Sequence, residues 1–438
     1  MTTRYVIVGN GAAGATAAWT IRARDPGAEI AIVGDEPVPF YSRPGLAYVL
    51  LGVIPHKEVF SRPDRLYAEA RIQRVVGRVS AIEPAPHRLV TTDGRALRFD
   101  RLLLAVGATA TLPDLPGIDL DGVVTLDSYE GTREILRLAS RARRAVVVGG
   151  GITALELAEG LLARGVETHY LMRGDRYWAN VLDPAESALV EAHLVADGMR
   201  LHKGTELASV IGRNGRVSGV RTKDGQELPC DILGVAIGVA PRTELARSID
   251  LPTGRGILVS ERFETELPDI FAAGDCAEVL DPVTGKRSVD ALWSVANEQG
   301  RAAGDNLAGH PTTYQRPASF NVTRIGGITT TVIGAVGTGG RDDDLVSLSR
   351  GDTFLWREQL DGFTTISTEG ANRLRLVVGP DRIAGAVVMG DQSLSYRLQH
   401  LVRGRVDISA VRDHLLDGSR DLHAVLAALA DGGASRGA

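Results

Sequence analysis

VIVGNGAAG, from Val6 to Gly14, and VVVGGGITA, from Val146 to Ala154, carry one pattern twice: an apolar strand that runs into a glycine-rich turn. Such a turn has to be tight, its backbone has to come close to a pyrophosphate, and the helix that follows must pack on the strand with its positive N-terminal end toward the phosphates. Gly9, Gly11 and Gly14 meet these demands in the first copy, and Gly149, Gly151 and Ala154 in the second. One such turn is a weak signal, because strands join helices through glycines in many proteins that bind nothing. Two copies in matching context predict two nucleotides held at once.

The chain has 438 residues, 44% hydrophobic and 24% charged, enough for two or three domains with real cores. A net charge of -5 argues against whole-surface attraction to nucleic acid. Two cysteines, Cys230 and Cys276, are too few for a disulfide framework or for the four thiolates of an iron-sulfur cluster. The nine histidines show no metal-site spacing, so no metal is expected. The opening MTTRYVIVGNG enters the first strand at once, which predicts a cytoplasmic protein with no leader. The apolar run from Tyr5 to Ile21 is interrupted by glycines and shorter than the ~20 residues a bilayer needs, so no membrane span is expected.

Outward from the first turn, a helix is expected over Ala15 to Arg24 and a buried strand over Ala28 to Val33, ending in Gly34, Asp35 and Glu36. Glu36 stands about 20 residues past Gly14, where an acidic side chain reaches a ribose. Short antiparallel strands are expected between Gln73 and Phe99, then a strand from Leu102 to Val106 closed by Gly107. A crossing between domains is read in Leu112 to Gly122. A helix from Glu134 to Arg144 follows, its Arg137, Arg141, Arg143 and Arg144 forming a solvated face. The second unit continues through a helix from Leu155 to Arg164 and a strand from Glu167 to Met172, and closes near Ile237 and Gly238, with a further crossing at Pro241 to Thr243. Asp269 to Val279 reads as a strand ending in Gly274 and Asp275, a carboxylate that a polyhydroxyl chain would satisfy. A helix is expected from Leu292 to Leu307. Beyond Thr312 a smaller α+β domain is expected, with strands Arg373 to Val378 and Arg382 to Met389, a helix near Leu422 to Leu429 and a disordered tail, DGGASRGA.

Taken in order, VIVGNGAAG, LLLAVGATA, VVVGGGITALELAE, VAIGVAPRT, TELPDIFAAGDCAEV and LWSVANEQGRAAGDNLAG resemble the FAD-dependent pyridine nucleotide-disulfide oxidoreductase superfamily. The branch is that of NADH oxidase, rubredoxin and ferredoxin reductases and the flavin part of nitrite reductase. The resemblance covers nearly the whole chain. It implies an α/β fold of two Rossmann-like dinucleotide-binding domains, the second inserted in the first, plus a C-terminal α+β domain. The FAD domain would be split over 1–113 and 244–311, the NAD(P)H domain would span 114–243, and 312–438 would serve as an interface or dimerisation domain. FAD would lie on Gly9, Gly11, Ala12, Ala13 and Gly14, with Asp35 and Glu36 at its ribose. Arg43, Pro44, Val79, Ala105, Val106, Gly107, Gly274, Asp275 and Trp293 would complete that site. The nicotinamide cofactor would meet Gly149, Gly151, Ile152, Thr153, Ala154, Arg173, Arg176, Ile237 and Gly238.

The departures from the family pattern bear on the second half-reaction. Relatives that reduce peroxides or coenzyme A disulfides open a CGLPY-like motif with a redox cysteine, where this chain has Pro44, Gly45, Leu46, Ala47 and Tyr48. Proline has no sulfur to oxidise, and no cysteine occurs from Met1 to Pro229. Ala12 replaces the histidine of the peroxidase branch. Cys276 reads as inert packing, and Cys230, after Pro229 at a turn, has no partner that the sequence identifies. Tyr48 also stands where ferredoxin reductases often carry a lysine that pairs with a glutamate, here Glu156. Two readings stay open for this pair, a hydroxyl supporting the carboxylate or plain packing beside an ordinary helix carboxylate. Arg173 and Arg176, where an NAD-type site has an acid, favour NADPH over NADH. The expected acceptor is a ferredoxin or rubredoxin. The alternatives are oxygen or a quinone, or a binding protein that senses redox state without turnover.

Overall fold

The computed structural model describes residues 2–282, 285–337, 363–369, 372–416 and 422–432. Each glycine-rich turn follows the central strand of a five-stranded, fully parallel sheet. The first sheet runs in the order Ile270–Ala272, Arg101–Leu104, Arg4–Val8, Glu29–Gly34, Ile72–Val76. The second runs Arg200–Lys203, Glu167–Met172, Arg144–Val148, Ile232–Val235, Val123–Val124. Val6, Ile7, Val146 and Val147 are fully buried because both faces of each sheet are covered, which is why these strands read as unbroken apolar runs. The chain leaves the first sheet after Arg101–Leu104 and returns only at Ile270–Ala272, so the whole second sheet is formed in between.

Three of the turn glycines have no room for a side chain. Gly9 sits at φ +110°, and a Cβ there would lie 2.1 Å from the carbonyl oxygen of Ala105; one at Gly14 would lie 2.0 Å from that of Gly9. Gly149 repeats the arrangement at φ +150°, against Ala236. The first turn opens helix Ala12–Arg24, which packs so closely on helix Trp293–Leu307 that a Cβ on Gly300 would come 2.3 Å from the Ala13 carbonyl. This contact brings the two halves of the first unit together.

A helix that the sequence reading did not foresee, Arg43–Leu51, starts at Ser42, whose hydroxyl accepts from the Gly45 N–H, and stops at Gly52, φ +82°. It is mounted on helix Ile152–Ala163 of the second unit. Arg164 donates to the carbonyls of Leu50 and Val49, both at 2.8 Å, at the helix end where carbonyls lack partners within the helix's regular ladder.

Some expected elements shift. Ile72–Val76 is the parallel edge of the first sheet, while only Val79–Glu83, Arg88–Thr91 and Ala96–Arg98 form the antiparallel sheet expected across the whole of 73–99. The basic helix is Tyr129–Ala139, started by Ser128, and Arg144 instead opens the central strand of the second sheet. Asp269 to Val279 is two short strands, Ile270–Ala272 and Ala277–Leu280, on either side of the turn at Gly274. The C-terminal part is an antiparallel sheet, ordered Phe320–Ile325, Ile328–Gly334, Ile383–Met389, Asn372–Val378, Phe363–Glu369, followed by helices Ser395–Arg403, Arg412–Leu416 and Leu422–Gly432. Of the expected disordered tail, Asp431 and Gly432 end the last helix, and 433–438 lie outside the described residues. Among the described residues no helix is long and apolar enough to cross a membrane.

Glu159, on helix Ile152–Ala163, faces the turn between Phe320–Ile325 and Ile328–Gly334. Burial drives its carboxyl up to about 7, against the opposing pull of the Gly327 and Gly326 N–H groups and Arg324. A carboxyl whose folded pKa lies above its unfolded value stabilises fully below the unfolded pKa and loses that contribution as pH rises through the folded one. Urea unfolding of wild type and E159Q from pH 5 to pH 8 is therefore expected to show wild type losing stability relative to the variant. A constant difference across that range would contradict this environment for Glu159.

Candidate functional site

A cavity of about 670 Å³ opens where the two parallel sheets and the antiparallel sheet meet. Most of the expected site residues share its wall. The first turn contributes Gly9, Gly11, Ala12 and Ala13; the end of the next strand contributes Asp35 and Glu36; helix Arg43–Leu51 contributes Arg43, Pro44 and Tyr48. Ala105, Val106 and Gly107 lie on a second side, and Gly274, Asp275 and Trp293 on a third. From the second unit come Ile152, Thr153, Glu156 and Gly238. Tyr48 and Glu156 thus face one space, from two helices tied together by Arg164.

Several expected residues stand elsewhere. Gly14 is inside the helix, where its missing side chain lets the helix approach Gly9. Gly149, Gly151 and Ala154 form the second turn, and Ala154 is buried against its strand. Val79 does not line the cavity: its side chain belongs to the core of the first unit, and Arg78, just before strand Val79–Glu83, makes the wall. Ile237 packs half-buried on the apolar cluster beneath the second sheet, while Gly238 reaches the cavity. Arg173 is exposed at the end of strand Glu167–Met172. Arg176 folds back on its own loop, pairing with Asp175 at 3.2 Å and donating to the Ala179 carbonyl at 3.1 Å.

The cavity wall also contains groups that the sequence did not announce. The buried Tyr41 hydroxyl donates to Glu36, 3.0 and 2.9 Å from its two carboxylate oxygens, and accepts from the Tyr129 N–H at 3.2 Å, which fixes the carboxylate at the cavity edge. Arg43 donates to the Asp127 carbonyl at 2.8 Å. Desolvation opposes its charge, but Tyr41, Glu36, Asp275 and Asp127 outweigh that and raise its pKa. Asn10 accepts from Tyr67 at 2.7 Å, and the Gln299 side chain accepts from the Gly274 N–H at 2.8 Å, holding the turn that presents Asp275. Asn321, Val322 and Thr323 close the cavity from the antiparallel sheet. Tyr41 lies two residues before the expected Arg43 and could have been weighed as a partner of Glu36. Nothing local marks residues 321–323, whose place depends on the packing of a distant sheet.

The wall fits a flavin dinucleotide. A Cβ on Gly11 would meet nothing within 4 Å, so backbone is laid open at the start of a helix, as a pyrophosphate requires. A braced carboxylate at Glu36 and a second at Asp275 suit ribose and polyhydroxyl groups, and Trp293 offers an aromatic wall. Comparison with known proteins agrees. The family described as pyridine nucleotide-disulphide oxidoreductase matches residues 3–300. The chain belongs to that family. It is 31% identical over 333 residues to an NADH oxidase of Methanocaldococcus jannaschii, covering 74% of each chain. It is 32% identical over 322 residues to the ferredoxin reductase component of a chlorobenzene dioxygenase from a Cupriavidus species, covering 73% of this chain and 78% of the relative. A ferredoxin reductase of Rhodopseudomonas palustris shares the fold, with a TM-score of 0.84 at 24% identity over 97% of this chain and 100% of that one. This member of the family is an FAD-dependent oxidoreductase that uses a pyridine nucleotide.

Both cysteines stand away from the cavity wall. Cys276 is fully buried, its thiol 3.5 and 3.4 Å from the carbonyls of Leu104 and Ala273, and burial pushes its pKa up to about 11; burial pushes Cys230 up to about 12. A thiol so far from ionisation is a poor nucleophile near neutrality. Ellman's reagent is expected to find no reactive thiol in the native protein and both after unfolding in guanidinium. Rapid labelling of the folded protein would overturn this assignment.

Proposed function

We propose that the protein oxidises NADPH in preference to NADH and passes the two electrons, one at a time, to a small iron-sulfur protein of the ferredoxin or rubredoxin type, without a protein thiol as intermediary. The supporting observation is the composition of the shared cavity, in which Ile152, Thr153 and Glu156 of the second unit face Gly9, Gly11 and Trp293 of the first, while Pro44 stands where a redox sulfur would be. In this reading FAD occupies segments 1–113 and 244–311, the nicotinamide cofactor segment 114–243, and 312–438 covers the site and supplies a dimer surface. Bound FAD would supply two-electron acceptance from a hydride and one-electron release, which amino acids cannot.

The chain's own part is orientation. Gly9 and Gly11 open the backbone to the pyrophosphate, Glu36 braced by Tyr41 takes a ribose, and Asp275 takes the polyhydroxyl chain. Tyr48 and Trp293 wall the ring space and exclude water from it, so that reacting atoms meet at contact distance. Glu156 holds a carboxylate beside that space, with the Tyr48 hydroxyl supporting it. Arg173 suits a 2′-phosphate, which a carboxylate would repel. The same chain in the cytoplasm would meet both NADPH and such acceptors.

The likeness to an NADH oxidase favours oxygen as a second reading. Anaerobic reduction of the holoprotein by NADPH, followed by separate mixing with ferredoxin and with oxygen, distinguishes them. Fast reoxidation by ferredoxin and slow reoxidation by oxygen is expected, and the reverse would overturn the proposal. In the first phase of the same experiment, Y48F is expected to slow flavin bleaching about tenfold, since a hydrogen bond to a charged group is worth ~1.5–3 kcal/mol. An unchanged rate would reduce Tyr48 to packing.

A further inference from the structure

Segment 173–183 leaves strand Glu167–Met172 beside the second glycine turn and ends at Asp183, the N-cap of helix Pro184–Ala196. It has little regular structure of its own, and Trp178 within it adopts φ +49°. Its near half is anchored to the same unit: the Tyr177 N–H donates to Glu191 at 2.8 Å, and Ser187 donates to the Tyr177 carbonyl at 2.7 Å. Its far half is held by the antiparallel sheet, about 190 residues later in sequence.

The hold is ionic and buried. Asp183 and Glu186 form a capping box, each side chain accepting from the other's backbone N–H at 2.8 Å, which puts two carboxylates into a site where Glu186 is fully buried. Two like charges there would be costly if left unmatched. Strand Asn372–Val378 supplies two cations. Arg373 meets Asp183 at 2.7 Å, and Arg375, itself 3% exposed, meets Glu186 at 2.8 Å. Each of the two terminal nitrogens of Arg375 donates to main chain, 2.5 Å from the Val181 carbonyl and 2.8 Å from that of Val336. One planar guanidinium therefore ties the far end of the segment, the start of the helix and the antiparallel sheet together, a task for a rigid fork and not for a lysine.

We propose that Arg375, seconded by Arg373, is a positioning residue for coenzyme recognition: it holds segment 173–183 in the shape that presents Arg173 to the 2′-phosphate of NADPH. The proposal rests on the NADPH reading above and extends it, because it assigns the C-terminal sheet a part in coenzyme selectivity. A clamp that served stability alone would affect all nucleotides equally. One that shapes this segment affects the phosphate-bearing one most.

The test uses the full-length holoprotein and R375K, which keeps a cation opposite Glu186 but cannot bridge Val181 and Val336 at once. Two quantities are measured: amide hydrogen exchange across 173–183, and calorimetric binding of 2′,5′-ADP and 5′-AMP. R375K is expected to raise exchange in 173–183 without raising it in helix Ile152–Ala163, to weaken 2′,5′-ADP by about tenfold, and to weaken 5′-AMP by less than about threefold. R173A is expected to weaken 2′,5′-ADP similarly with exchange unchanged. Unchanged exchange in R375K, or equal weakening of both probes, overturns the proposal. If wild type binds the two probes equally, the NADPH reading fails and this proposal falls with it; a wild type that prefers 2′,5′-ADP while R375K leaves that preference or the exchange of 173–183 unchanged overturns this proposal alone. If R375K folds poorly, R373K gives the same readouts from the neighbouring pair.

Discussion

At Gly9 the first strand passes so close to the Ala105 carbonyl that only a hydrogen fits between them. That approach sets the path of the turn, the turn sets the start of helix Ala12–Arg24, and the helix in turn receives Trp293–Leu307 at Gly300. The cavity is what remains open above these contacts. Its geometry is therefore inherited from backbone packing, and the polar side chains around it only refine a space the glycines have already shaped.

Much of this is legible in the sequence, and for a physical reason. Gly9, Gly14 and Gly149 answer local demands, a positive φ or a backbone contact, that hardly any other residue can meet, so they mark their position in sequence alone. The parallel strands are equally plain because burial on both faces leaves unbroken apolar runs. The failures were of two other kinds. Val79 opens a short strand and packs into the core, while Arg78 just before it reaches the cavity, a choice decided by the core and not by either residue's chemistry. Helix Arg43–Leu51, Asn321–Thr323 and the arginine pair on strand Asn372–Val378 depend on partners far away in the chain, Arg164 and Asp183 among them, and no local period or spacing announces such contacts.

Among the described residues the cavity wall carries no sulfur, and this has a structural counterpart. Pro44 lies in the first turn of helix Arg43–Leu51, a position at which a missing N–H is harmless and a fixed φ is helpful. Proline there brings no reactive group and firms the start of the helix that carries Tyr48. Further along, the Arg164 bonds to Val49 and Leu50 secure its other end to the second unit. Tyr48 is held from both directions.

The return of Ile270–Ala272 to the first sheet has a consequence for biogenesis. Strand Arg101–Leu104 is made roughly 165 residues before the neighbour that completes its pairing. At typical translation rates of ~5–20 residues per second, its open edge waits on the order of 10–30 seconds while the intervening unit emerges from the ribosome. The inserted sheet can mature alone in that interval, whereas the earlier one stays unfinished and vulnerable to pairing with other nascent chains. Chaperone dependence during synthesis should accordingly concentrate on the first hundred residues and not on the sheet that follows.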